Sequence, residues 1–488
     1  MGEIKKQSIN NTFLSYIGAA LGFLIIYIQP NLISSTDIGL LRLLYSFSWM
    51  AATLMPLGVG SITMRFFPKF KNSENTHNGF FALILIMSSI GAFLVGGILY
   101  INKSFFISYY QKSPEFPTYF NEALVFAYIL SLTAVYSLYS WSLLKTTFTV
   151  FLTDIFTRVG QLFLVIIYHY NLIDKYTLVI AYIGVFLLQL VLLIIYLIMA
   201  KAVSFTINWS FFKLLDKKDI IFFGLLMMLT AFASLGIKVM DQLMIGHFLN
   251  EKSVGIYATC IMMCAVMEIP FNSLERIAQP KIAAAWNNND AKEVEKIYEM
   301  SSRYMFFIGA LLFCLLWASI DFIFLFLPVE YQEGKIAFYV ISFSSLFNLL
   351  TGVNSSVIMF SHKYFVTSVL LFVLIGVSFF ANNFLITPYG ITGAAIATLI
   401  AIGSFNFLKY IYISIRFKMQ PFSIHTLYIL VCTIISVLFI IILPDVLHPI
   451  LKLIVGSLFT VIIFSFMNIK FKTIEEVNKV FKRFKLIT

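Results

Sequence analysis

Long apolar runs recur along the whole chain, separated by short polar stretches. Within each run the apolar residues are continuous, not alternating. About 20 such residues are what an α-helix needs to cross the hydrocarbon of a bilayer. The pattern predicts fourteen spans, at about 13–29, 40–60, 79–101, 122–143, 150–169, 177–200, 219–240, 254–276, 304–327, 336–360, 365–386, 391–415, 425–444 and 449–468. A membrane β-barrel would instead show short segments of alternating hydrophobicity. The first run, Phe13–Ile28, has no small-residue cleavage site after it and reads as a retained first helix.

Composition narrows the class further. Of 488 residues, 60% are hydrophobic and only 12% are charged, against about a quarter charged in soluble domains. The mean hydropathy is +0.91. These values exclude a soluble enzyme, a disordered chain and a collagen-like one. The longest loops run to about 20–25 residues, too short for a separate folded domain. The net charge of +11 would suggest nucleic acid in a soluble protein. Here it follows membrane orientation, because Lys and Arg collect in cytoplasmic loops. An even number of spans puts both termini on one side. With that side cytoplasmic, the inner segments hold about 23 Lys and Arg and the outer loops about 6. Lys5, Lys6, Arg65, Lys69, Lys71, Lys201, Lys213, Lys281 and Arg303 fall inside, and Lys103, Lys112 and Lys175 outside.

The second and eighth spans begin alike, with STDIGLLRLL (Ser35–Leu44) and EKSVGIYATC (Glu251–Cys260). Each runs through an intramembrane proline, Pro56 or Pro270, and ends near a basic residue and a second proline, Arg65 with Pro68 and Arg276 with Pro280. Gly39 and Gly255 are 216 residues apart. The expected architecture is an all-α polytopic membrane protein of about 14 transmembrane helices. A six-helix lobe covers 1–200, a cytoplasmic connector 201–218, a second six-helix lobe 219–416, helices 13 and 14 417–469, and a basic amphipathic cytoplasmic tail 470–488. Both lobes start from the cytoplasm, so their relation is a pseudo-two-fold along the membrane normal. Residues 287–304 read as a cytoplasmic surface helix. In the tail, Ile474, Val477, Phe481 and Phe484 form a stripe among Lys479, Lys482, Arg483 and Lys485. That suits either an anionic membrane surface or an ordinary charged tail.

Three stretches carry a family resemblance: GVGSITMRFFPKFK (Gly58–Lys71), DQLMIGHFLNEKSVGIYATC (Asp241–Cys260) and YGITGAAIATLIA (Tyr389–Ala401). In their order along the chain they resemble the polysaccharide exporters and O-antigen flippases (Wzx type) of the multidrug/oligosaccharidyl-lipid/polysaccharide (MOP) superfamily. The resemblance implies two lobes around a central cavity. It also implies alternating-access movement of an undecaprenyl-diphosphate-linked oligosaccharide from the inner to the outer leaflet of the bacterial cytoplasmic membrane. A polysaccharide polymerase and chain-length proteins are the implied partners, and the expected protein is a monomer that binds no nucleic acid.

A charge inside the membrane costs on the order of 3 kcal/mol on insertion scales, so each one needs a reason. Arg42 precedes Ser46, Trp49 and Thr53 on one helix face, one turn inside the predicted outer end of span 2. A guanidinium can hold a phosphate bidentately, a Trp face can stack on a sugar ring, and hydroxyls can meet sugar hydroxyls. The competing reading is a helix contact with Arg42 reaching outward. Arg158 and Lys238 are further candidates for the cavity. Each also has a carboxylate at pairing distance along its helix, Asp154 and Asp241 respectively. Asn348 belongs to a second polar stripe with Ser344, Thr351 and Ser355, which suits either substrate contact or interhelical hydrogen bonding. Arg65 and Arg276 sit at the cytoplasmic mouth, to catch a diphosphate or simply to follow the charge rule. Glu268, the deepest acid, and Asp321 are the candidates for carrying a coupling H+ or Na+, Glu268 alternatively for neutralising Lys238. Lys409 reads as snorkelling to the cytoplasm. Gly18 and Gly22 form a GxxxG suited to close helix packing.

Cys260, Cys264, Cys314 and Cys432 all lie in apolar runs, with no CxxC and no metal-ligand spacing. No nucleotide-binding signature or HExxH occurs, so neither a cofactor nor a metal is expected. The reading is a transporter, not an enzyme. One rival is a cation-coupled multidrug antiporter of the same superfamily. That function wants acids in the cavity, whereas span 1 has none. A membrane polymerase or ligase would need a large loop or catalytic domain that the chain lacks.

Overall fold

A computed structural model describes residues 2–70, 77–201, 203–206, 217–363, 365–444 and 448–474, apart from the side chains of 2–9, 12, 68, 69, 217 and 219. Most of the connector (207–216) and the amphipathic tail from 475 onward lie outside the described residues. Among the described residues every regular element is helical.

The helices are α1 (Gly2–Leu32), α2 (Ser35–Leu54), α3 (Val59–Phe70), α4 (Phe80–Ile101), α5 (Lys103–Tyr109), α6 (Phe120–Ser142), α7 (Thr147–Phe151), α8 (Thr157–His169) and α9 (Lys175–Met199). They continue with α10 (Lys217–Phe248), α11 (Glu251–Cys264), α12 (Glu268–Asn287), α13 (Ala291–Leu325), α14 (Lys335–Leu350), α15 (Asn354–Met359), α16 (Phe365–Phe417), α17 (Ile424–Ile442) and α18 (Pro449–Phe471). Among the described residues eleven helical stretches are long and apolar enough to cross a bilayer, and α2 with α3, bent by 51°, makes a twelfth. The 53 residues of α16 would extend about 80 Å, more than twice the hydrocarbon thickness. This helix is two passes, folded back at Gly390, whose φ of 58° and ψ of −140° leave the helical region. Across a break at Thr351–Val353, α14 and α15 form one further pass. Among the described residues the count is therefore fourteen, as the hydrophobic pattern predicts.

The chain divides into two compact units, Met1–Ala258 and Thr259–Thr488. In the first, α2 packs on α6 and α10, and α1 packs along α8. Phe67, Phe80 and Tyr139 form an aromatic cluster, Phe67 and Tyr139 meeting edge to face at 5.3 Å. In the second, α13 is the centre, packed against α18, α14, α17 and α12. Its core includes Phe306, Phe313, Cys314, Ile429 and Phe464. All four cysteines are buried and free.

Pro56 lies in the break between α2 and α3, where it has no N–H to continue the ladder. Span 8 is interrupted as well, by a 3-10 turn at Ala265–Met267 just ahead of Pro270. Helix α9 starts with Asp174 as its cap. The Thr177 hydroxyl and, at 3.2 Å, its backbone N–H both donate to the Asp174 carboxylate. Those bonds, the hydroxyl's first, hold the carboxyl below its usual range.

One end of the first unit is tied together by charge and by close backbone approach. Lys175 Nζ lies 2.9 Å from both Asp37 Oδ1 and Glu115 Oε1. Glu251 Oε1 accepts the backbone N–H groups of Glu115 at 2.9 Å and Phe116 at 3.2 Å. Ser113 Oγ donates to the Gly246 carbonyl at 2.6 Å. The two repeat glycines meet here. A Cβ on Gly39 would fall 1.7 Å from the Glu251 carbonyl oxygen, and one on Gly255 would fall 2.1 Å from that of Ser35. The backbones cross where neither residue carries a side chain. Gly39→Ala should therefore cost about 3 kcal/mol, because the clash is with backbone that cannot repack. Gly97→Ala, where a Cβ would meet no neighbouring group within 4 Å, should lose no stability and should gain up to about 1 kcal/mol from the better helix propensity of alanine. Thermal unfolding of the two purified variants checks this, and equal melting temperatures would contradict the crossing.

Candidate functional site

Helix α2 begins at Ser35, so Arg42 sits two turns inside it, deeper than the hydrophobic boundary alone suggests. Ser34 caps the start, its Oγ accepting the Asp37 N–H at 3.1 Å. The stripe that follows is held on both sides. Ser46 Oγ donates to Gln242 Oε1 of α10 at 2.7 Å. The Trp49 ring stacks on Tyr45 with centroids 6.1 Å apart and an interplanar angle of 10°. Tyr45 in turn packs against Phe126 and Phe186. Arg42 and Trp49 are partly exposed and Ser46 is buried.

Three elements bring further polar groups to this place. Between α7 and α8 the chain makes a π-helical turn at Leu152–Phe156, which carries Asp154. Asp154 Oδ2 accepts from Ser15 Oγ of α1 at 3.0 Å. Arg158 donates to the Gly18 backbone carbonyl, also of α1. Gly18 and Gly22 make room for both. A Cβ at Gly18 would lie 2.9 Å from Asp154 Cβ, and one at Gly22 would lie 2.9 Å from Arg158 Nη1. The GxxxG pair thus seats a polar turn, beyond the plain helix packing that the sequence suggested. Arg158 lies within electrostatic reach of Asp154 and of Arg42. Tyr182 and Tyr45 also feel the Arg42 charge. Arg42 of α2 and Asp154 of the π turn thus both act electrostatically on Arg158 of α8.

The remaining sequence candidates are placed as follows. Lys238 is exposed, and its neighbour Asp241 is buried and accepts from Tyr257 at 2.9 Å. Arg65 is exposed with its guanidinium 4.3 Å from the centre of the Phe223 ring. Arg276 is exposed on α12. Glu268, at the start of α12 beside the 3-10 turn, is exposed. Asp321 lies between two lysines, with Lys335 Nζ at 2.5 Å and Lys452 Nζ at 3.3 Å. Among the described residues no cluster of three or more His, Cys, Asp or Glu side chains has the arrangement of a metal site.

Asn348 opens a network that the sequence only half revealed. Asn406 Nδ2 donates to Asn348 Oδ1, and Asn406 Oδ1 accepts from both Thr351 Oγ1 and Asn354 Nδ2, each at 3.0 Å. Lys409 does not snorkel: it is 2% exposed, and its Nζ donates to Ser355 Oγ at 3.0 Å. Ser356 Oγ donates to Glu275 Oε1 at 3.1 Å. Asn406, Asn354 and Glu275 had no sequence signal beyond the three-residue spacing of Asn406 and Lys409, which puts both on one helix face.

No protein-family model matches the chain, and no curated protein sequence matches it. Solved structures do. The chain is similar to the lipid II flippase MurJ in its inward closed conformation, with TM-score 0.74 and 14% identity, covering 95% of this chain and 98% of that one. It is similar to an inward-facing multidrug resistance MATE transporter of the MOP superfamily, with TM-score 0.63, 13% identity and coverage of 82% and 94%. A MOP superfamily transporter from Pyrococcus furiosus, described as having a binding pocket of reverse polarity, matches with TM-score 0.58, 14% identity and coverage of 85% and 95%. The chain has the fold of MOP superfamily transporters and is a multi-pass membrane protein.

Asn406 is fully buried and serves three partners. Asn406→Ala would leave Asn348, Thr351 and Asn354 short of a partner, at a cost of about 2 kcal/mol. Thermal unfolding should detect the loss, and an unchanged melting temperature would mean that the network does not stabilise the second unit.

Proposed function

We propose that the protein is a lipid-linked oligosaccharide flippase that moves a polyprenyl-diphosphate-linked glycan from the inner to the outer leaflet for surface polysaccharide synthesis. The observation that carries this reading is the stripe of Arg42, Ser46 and Trp49 on one face of α2, with Arg158 of α8 within reach of the Arg42 charge. Asp154 offsets only one of the two guanidinium charges, and the net positive charge that remains inside the membrane is matched by a bound anion. A diphosphate offers oxygens for both guanidinium groups, each able to bind two at once. Ser46 and Trp49 stand one and two turns further along, where the first sugars attached to that diphosphate would lie. The MurJ neighbour, a flippase of lipid II, supports the same class of substrate.

In this reading the protein acts as a monomer in the bacterial cytoplasmic membrane with both termini in the cytoplasm. It alternates between inward and outward openings while the lipid tail stays in the bilayer. Arg65 and Arg276 attract the diphosphate at the inner mouth, and a polymerase and chain-length proteins use the product outside. The MATE neighbours keep a drug antiporter as the rival, but a site for cationic drugs is poorly served by two arginines.

The test is binding of undecaprenyl diphosphate to purified protein by native mass spectrometry. Arg42→Ala and Arg158→Ala should each weaken binding about tenfold, the loss of one charge-assisted contact, with folding checked by thermal unfolding. Undiminished binding in both folded variants would overturn the assignment of the arginines.

A further inference from the structure

We propose that Lys409, with Ser355 and Glu275, forms a proton-binding site in the second unit whose protonation state is transmitted to the break in span 10. This holds for whichever substrate the protein carries. Lys409 lies on the second pass of α16, where a full charge must be stabilised locally or not carried at all. Its surroundings provide limited help. The Nζ makes one hydrogen bond, to Ser355 Oγ, and lies 3.9 Å from the centre of the Phe405 ring. The carboxylate that acts on it is Glu275 of α12, itself engaged by Ser356. The groups that α14 and α15 present to this place are neutral: Asn348, Thr351, Asn354, Ser355 and Ser356. The packed elements also present phenols, Tyr410 and Tyr412 on α16 itself and Tyr298 on α13, the last in the core that contains Val353 and Ile413.

The hydrogen bonds give the proton a consequence. An ammonium at Lys409 can only donate, so Ser355 Oγ accepts from it and turns its own proton toward Asn354 Oδ1, 3.4 Å away. Release breaks one N–H bond. The proton leaves to cytoplasmic water, and the electron pair stays on Nζ as an acceptor. The Ser355 hydroxyl is then free to donate to that lone pair, which releases Asn354 Oδ1. Asn354 Nδ2 holds Asn406 Oδ1, which also takes Thr351 Oγ1, and Asn406 Nδ2 holds Asn348. Thr351 and Asn354 flank Gly352, whose φ of 59° marks the break between α14 and α15. The relay runs from a titratable amine through four polar side chains to a discontinuous helix, the kind of element that moves in transporters. Asn406 is fully buried and Thr351 only 3% exposed, so water does not substitute for a lost partner.

The experiment is hydrogen–deuterium exchange of the full chain in lipid nanodiscs, without substrate, from about pH 5 to about pH 10, corrected for intrinsic exchange. In the wild type, protection of 351–360 and 405–413 should change about tenfold in one step while the core of α13 stays level. Lys409→Arg, which keeps a permanent charge, should abolish the step, and so should Lys409→Met. Ser355→Ala should retain a step at 405–413 and lose it at 351–354. A wild type without a step, or the same step in Lys409→Arg, would overturn the proposal. If Lys409→Met does not fold, Lys409→Arg and Ser355→Ala decide.

Discussion

Hydrocarbon offers no hydrogen bonds, so a polar group within a span must find its partner in the protein or face water. Much of what distinguishes this chain follows from that constraint. Asp321 is held by Lys335 and Lys452, Asp241 by Tyr257, and Lys409 by Ser355. Arg158 extends to a backbone carbonyl that Gly22 leaves accessible. The apolar side chains give the helices their number and length. The paired polar ones fix which helices lie side by side, since a mismatch would strand a charge in an apolar medium.

The same constraint explains the breaks. Spans 2, 8 and 10 are interrupted inside the apolar region, at Pro56, at the 3-10 turn before Pro270, and at Gly352. A break frees backbone groups that need new partners, so it sits where side chains or tight backbone packing supply them. In the first unit the π turn at Leu152–Phe156 has the same character, with Asp154 and Arg158 engaging α1 around it. The polar groups and the irregular backbone thus coincide, and these are the places where a transporter can change shape without unfolding. At one end of the first unit, Gly39 and Gly255 let two repeated helix starts cross at contact distance.

Much of this was legible in the sequence, for reasons that differ by residue. The fourteen passes followed from run length, which hydrophobicity controls directly. The turn within α16 was legible too, because the apolar pattern there divides into two runs, 365–386 and 391–415, each long enough to cross. The depth of Arg42 was not, because α2 starts at a polar cap, Ser34, ahead of the apolar run. The spacing of Asp154 and Arg158 suggested an ion pair only if the turn is α-helical, and a π turn changes that register. Lys409 was read as snorkelling because sequence gives distance from a span end and not which way a side chain is rotated. The partners of Asp321 and Asn348 come from elsewhere in the chain, and only folding brings them together.

The central claim is that the two arginines serve a lipid diphosphate that carries a glycan. It is tested most directly by mass spectrometry of the lipid-linked oligosaccharides in cells depleted of this protein. The account predicts accumulation of a complete polyprenyl-diphosphate oligosaccharide together with loss of a surface glycan. An unchanged lipid pool with intact surface glycan would contradict it and turn attention to efflux of cationic drugs.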